Sequence, residues 1–157
     1  MALIVPIIQA EPQRDYTDCV VNQTPANAQA FVPKQLLTIA AGVVSVAASA
    51  VTGIFGVALG YAVDPVFGKA NGTIPVLRAR AGQRFLMNAN GALAQANVGG
   101  KYGLLVNAQG LGLVDLTNTT EELFEVIEIF PAGVLPNGGI GDTNPRVLVE
   151  LLASAVQ

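Results

Sequence analysis

The sequence predicts an all-β fold: a small β-barrel or sandwich domain, residues 34–157, behind an extended N-terminal arm, residues 1–33. Three observations point there. Within the uncharged run Leu36–Val63, the segment Ile54–Val63 sets bulky residues on one parity and almost entirely small ones on the other, which is the spacing of a strand and not of a helix. Short apolar segments recur through the remainder with Gly- and Asn-rich breaks between them, as in barrels and sandwiches. The first 33 residues are rich in Pro, Gln and Asn and show no sustained period.

The arm opens "MALIVPIIQAEPQRDY". No Lys or Arg precedes its apolar residues, Pro6 interrupts them, and Glu11 and Arg14 follow soon after, so it does not read as a secretory signal. Leu3, Ile4, Val5, Ile7 and Ile8 need a cover, either the chain's own barrel or a neighbouring subunit. They are candidate partner-contact residues. Cys19 is the one cysteine, so the chain forms no internal disulfide, and a small hydrophobe in the arm is its expected role.

The run Leu36–Val63 is long enough, as a helix, to span a bilayer, and a small membrane protein crossing through residues 36–63 is the rival reading. The order of residues argues against it. Phe55, Val57, Leu59, Tyr61 and Val63 occupy one parity, and Ile54, Gly56, Ala58, Gly60 and Ala62 the other. That predicts one strand with a bulky face and a small-residue face. Ala41-Gly42 and Thr52-Gly53 cut the run into strand lengths, and Val43, Val44, Val46, Val51 and Ile54 are β-branched. The small face suits the interior of a tight barrel, where large and small side chains alternate, or a surface against which another subunit packs.

Further strands are expected at Ile74–Ala79, Arg84–Asn88, Tyr102–Asn107, Gly112–Leu116, Leu123–Phe130 and Arg146–Leu152. Asn-Gly at 71–72, 90–91 and 137–138 marks turns, and the first two have the apolar flanks of hairpins. "NTTEELFEVIEIF" has a helix-start pattern at Thr119, Thr120, Glu121 and Glu122. Its Phe124, Val126, Ile127 and Ile129 favour a strand after a turn. Arg78, Arg80 and Arg84 gather around Ala81-Gly82, with Arg78 and Arg80 sharing a face by parity. Arg78 and Arg80 are the second candidate contact, toward an acidic partner.

Little in the chain carries chemistry. It has no histidine, the usual general base and zinc ligand. Asp115, Glu121, Glu122, Glu125 and Glu128 alternate with apolar residues, as on a solvated strand face, and no calcium-loop pattern is present. "GLGLVD" and "GGIGDT" lack both phosphate-loop spacings and read as turns. A net charge of −3 leaves no electrostatic footprint for nucleic acid. A ligand-binding barrel would need convergent polar groups that the sequence scarcely supplies. With 52% hydrophobic and 12% charged residues, the chain suits an assembly component that covers its surface with partners.

The order "IFGVALGYAV", "IPVLRARAGQRFLMNANG", "VGGKYGLLVN…GLVDLTNTTEELFEVIEIF", "GDTNPRVLVELLASAVQ" resembles the structural cement, or decoration, proteins of tailed bacteriophages. The resemblance covers Leu36–Gln157. It implies a β-barrel in the virion, on the capsid exterior. Its expected partners are the major capsid protein and neighbouring cement subunits, as homotrimers. Such a protein holds the shell against packaged DNA. The resemblance further implies no enzyme activity, no cofactor or metal, no direct nucleic-acid contact and no membrane. It carries over no catalytic residues.

Overall fold

Val43-Val44-Ser45-Val46 and Leu36-Leu37-Thr38-Ile39-Ala40 are β-rich stretches joined by Ala41-Gly42, whose φ values of +49° and +79° make a two-residue hairpin turn. Such a turn matches the twist of the flanking strands. The long apolar run is therefore folded back on itself. In the computed structural model, which describes residues 8–9, 20–26, 29–60, 73–130, 143 and 145–157, no helix is long and apolar enough to cross a membrane.

The strands in chain order are β1 (Ile8–Gln9), β2 (Val20–Pro25), β3 (Leu36–Ala40), β4 (Val43–Val46), β5 (Gly56–Ala58), β6 (Ile74–Arg78), β7 (Arg84–Ala89), β8 (Lys101–Val106), β9 (Gly112–Asp115), β10 (Phe124–Ile129) and β11 (Arg146–Leu151). Short 3-10 turns lie at Gln95–Asn97 and Ala153–Ala155. The six strands expected after residue 70 are β6 to β11, each within a residue or two of its expected ends.

The first five-stranded circuit, β2-β4-β3-β5-β6, closes into a barrel. Its pairs are antiparallel except β2 with β4, which is parallel. Leu37, Val44, Ala58, Ile74 and Val76 fill the interior with Phe31 and Phe55. The other circuit is β7-β11-β10-β8-β9, closed by the parallel pair β7 with β9, and β1 adds to β7.

The two circuits have the same connectivity and the same register. Val76 lies between Val21 and Ala58; Val149 lies between Phe85 and Val126. Val44 lies between Pro25 and Ile39; Val114 lies between Ala89 and Leu104. Gly56 lies between Leu37 and Arg78; Phe124 lies between Tyr102 and Leu151. The spacing between these rows along each strand is equal in the two rings. The closing bond also repeats: the Ala26 N–H donates to the Val44 carbonyl at 2.8 Å, and the Asn90 N–H to the Val114 carbonyl at 3.0 Å. The chain is thus two tandem copies of one barrel plan, differing mainly in loops such as the two-residue turn after β3 and the longer one after β8.

Leu36, Val57 and Leu77 point out of the first barrel and join Phe85, Met87, Leu104 and Phe124 in one shared core. Full burial of each such side chain is worth about 1.5–3 kcal/mol, so the two rings hold each other. The C-terminus ties them again. The Ile54 N–H donates to the Ala155 carbonyl at 2.7 Å, and the Gln157 N–H to the Ile54 carbonyl at 3.0 Å.

Four expectations need correction. The first barrel does not begin at residue 34: Val20–Pro25, expected in the arm, is β2, because its Val21 completes the interior and its edges take β4 and β6. Phe55 and Val57 do not share a face. Phe55 packs inside the first barrel and Val57 outside it, since β5 starts only at Gly56. Phe55 donates its N–H to Leu37, the residue that Gly56 opposes, so the alternation slips by one there. Leu59, expected beside Val57, lies beyond the strand and is 43% exposed. Asn90-Gly91 is not a hairpin turn, for β7 and β8 do not pair; Asn90 instead fastens its loop to β9. The small-residue parity of β5 does face the barrel interior. A Cβ on Gly56 would run into the Leu77 carbonyl and the Val76 side chain. Tyr61, Val63, Cys19 and the Asn-Gly pairs at 71–72 and 137–138 lie outside the described residues.

Candidate functional site

Two places in the fold offer themselves to a partner: the link between the barrels, and the edge shared by the first strand of each ring.

The link runs from β6 to β7 through Arg80-Ala81-Gly82-Gln83. Gly82 has φ +75°, a conformation in which glycine carries no steric penalty. The Gln83 N–H reaches the Arg80 carbonyl at 3.2 Å, and the buried Gln83 amide oxygen accepts the Arg80 N–H at 3.1 Å. The Gly82 N–H donates to the Leu151 carbonyl at 2.9 Å and the Leu151 N–H to the Gln83 carbonyl at 2.8 Å, so the turn is pinned to β11. Beside it lies an open cleft of about 360 Å³ lined by Arg78, Ala79, Arg80, Ala81 and Val156. Arg78 ends β6 and Arg80 lies beyond it in the link, so the two do not share a strand face, although both line this cleft. Both side chains are exposed. The Arg78 guanidinium lies 5.2 Å from the centroid of Phe55, a cation–π contact that restrains it without using up its hydrogen-bond donors. Arg84, the third member of the group, is instead paired to Glu150 at 3.1 Å across β7 and β11. Among the described residues no ion pair engages Arg78 or Arg80. Two free guanidinium groups above a small apolar floor suit a carboxylate-bearing surface.

Of the expected arm contacts, Ile8 is placed within the chain's own sheet: Ile8 pairs with Leu86 and Gln9 with Phe85, antiparallel. Leu3, Ile4, Val5 and Ile7 lie outside the described residues. The backbone edge of β2 was not visible to sequence reasoning, since a free edge is a property of neighbours and not of residue type.

The described acidic residues do not converge. Among the described residues no group of three or more His, Cys, Asp or Glu is placed to hold a metal ion. Asp115 serves a local purpose. Burial pushes its carboxyl up, but hydrogen bonds from the Thr117 hydroxyl and N–H, the Asn90 amide and the Asn118 N–H outweigh that and hold it below the ordinary value. The Asn90 Nδ2 donates to Asp115 at 2.7 Å while the Asn90 Oδ1 accepts the Leu116 N–H at 3.0 Å.

A scan against models of protein families, a search of curated proteins and a search of solved structures each return no match.

Proposed function

We propose that the chain is a non-enzymatic virion structural protein, a capsid cement protein. It binds the outside of a tailed-phage head across major capsid protein subunits and stabilises the shell against packaged DNA. The observation that carries this reading is the ordered series "IFGVALGYAV", "IPVLRA", "VGGKYGLLVN" and "RVLVELL", which resembles the cement proteins in sequence order. The composition supports it: no histidine and 12% charge leave few groups for catalysis and much surface for partners. The mechanism is multivalent. Many copies at symmetry-related seams make a shell far harder to open than one contact would, and the Arg78–Arg80 cleft offers each copy a point for an acidic capsid surface.

The test is to add purified chain to phage heads lacking it and image them by cryo-electron microscopy. Density on the outer surface at joints between capsid subunits, with a raised temperature for DNA release, is the expected result. Heads that stay bare at saturating chain would overturn the assignment.

A further inference from the structure

In the second ring, one edge of β7 is shared by two strands. β9 takes Asn88 and Ala89, and β1 takes Phe85 and Leu86. In the first ring β4 takes Thr24 and Pro25 in the equivalent way. Among the described residues, no strand pairs with the rest of that edge, at Val20–Gln23.

The direction of its backbone groups follows from the ladder. The Ala26 N–H points at β4, so by strand alternation Asn22 and Thr24 turn their N–H and C=O groups to the same side. The opposite neighbour agrees. Asn22 faces Pro75 across β2 and β6, and the Pro75 carbonyl turns away to accept the Leu59 N–H at 2.9 Å. The Asn22 N–H and C=O therefore face the open edge, as the equivalent groups of Leu86 face Ile8. Val20–Gln23 contains no charge and no proline, the usual devices that keep an edge unpaired.

The β7 edge also limits what it accepts from the arm. With Ile8 opposite Leu86, continuing the antiparallel register would set Pro6 opposite Asn88, where Leu113 of β9 already pairs. That edge has no room for Leu3, Ile4 and Val5, an apolar and β-prone segment. Among the described residues, then, the β2 edge at Val20–Gln23 has no strand on it, and on this register the β7 edge cannot take Leu3–Val5.

We propose that residues Leu3–Val5 of a second copy of this chain add as an antiparallel strand to the open edge of β2, opposite Asn22. Each copy donates one segment and accepts one. The contact is heterologous and saturates when the copies close into a ring. It does not depend on the capsid reading.

The experiment uses the full chain and sedimentation velocity. Asn22→Pro removes the N–H that faces the open edge and leaves the β2–β6 ladder bonds intact; Ile4→Pro disables the donor. The wild-type chain should sediment as a closed oligomer and each variant as a folded monomer. An equimolar mixture of the two variants should form a heterodimer that grows no further, since it holds one intact donor and one intact acceptor. A peptide of residues 1–7 in excess should disperse the wild-type oligomer, a readout that holds even if Asn22→Pro does not fold. A monomeric wild-type chain would overturn the proposal, as would Ile4→Pro keeping the wild-type mass, a mixture that stays monomeric, or a peptide without effect.

Discussion

The ring of Phe85 meets that of Phe124 edge-on, with centroids 6.5 Å apart and planes at 80°. The equivalent rows of the first barrel hold Val21 and Gly56. One barrel plan is thus filled in two ways. In the second ring the strands carry the aromatic rings. In the first, the strand position is glycine and Phe55, just outside the strand, supplies the ring.

Phe124→Ala should therefore lower stability by about 3–5 kcal/mol, the usual result of emptying a buried aromatic site. Gly56→Ala at the equivalent position should also destabilise, by about 1–3 kcal/mol, because the new methyl meets the Leu77 carbonyl. Urea unfolding monitored by circular dichroism reads both. No loss for Gly56→Ala would show that β5 and β6 separate more easily than their contacts indicate.

Ala41 holds φ +49° at the first position of the β3–β4 turn, a conformation that disfavours an alanine side chain by about 1–2 kcal/mol. Ala41→Asn should stabilise the chain by several tenths to about 1 kcal/mol by restoring the Asn-Gly preference of this turn. Thermal melting of the variant should shift upward. A downward shift would mean that the Ala41 methyl makes a needed contact.

Asp115 has a folded-state pKa below its unfolded value. Its contribution to stability is therefore complete above the unfolded carboxyl pKa and is lost as pH falls through the folded one. Wild-type stability should decline in that acid window, and Asp115→Asn should be less stable near neutrality with a shallower acid decline. Melting temperatures from neutral pH down to the acid limb compare the two slopes; identical slopes would remove Asp115 from the account.

Arg84 and Glu150 are paired, but their side chains are 44% and 34% exposed, so solvent screens the pair. Arg84→Ala should cost less than about 1 kcal/mol. Arg78→Ala should cost a similar amount, about 0.5–1 kcal/mol, by removing the cation–π contact with Phe55. Chemical denaturation of both variants checks the pair. A large loss at Arg84 would point to a less hydrated environment than its exposure implies.

Sequence by itself determined where the chain becomes strand after residue 70, but not at β1 or β2, which lie in the expected arm. β-branched and aromatic residues between Gly and Asn breaks located β6 to β11, and the β-branched residues and Gly breaks of Leu36–Val63 indicated strands where length alone favoured a helix. Parity placed Arg78 and Arg80 on one strand face, whereas β6 ends at Arg78 and it is the turn after it that brings Arg80 to the same cleft. Only the tertiary structure decided the rest. The parallel pairs β2–β4 and β7–β9 close the rings between segments far apart in sequence, and no local pattern encodes which edges meet. The slip at Phe55 goes with its backbone bonds to Leu37 and Ala79, a relation between strands. The repeat of one barrel plan was hidden for the same reason. Register is a relation between backbones, and positions as different as Gly56 and Phe124 satisfy it equally when neighbouring side chains fill the space.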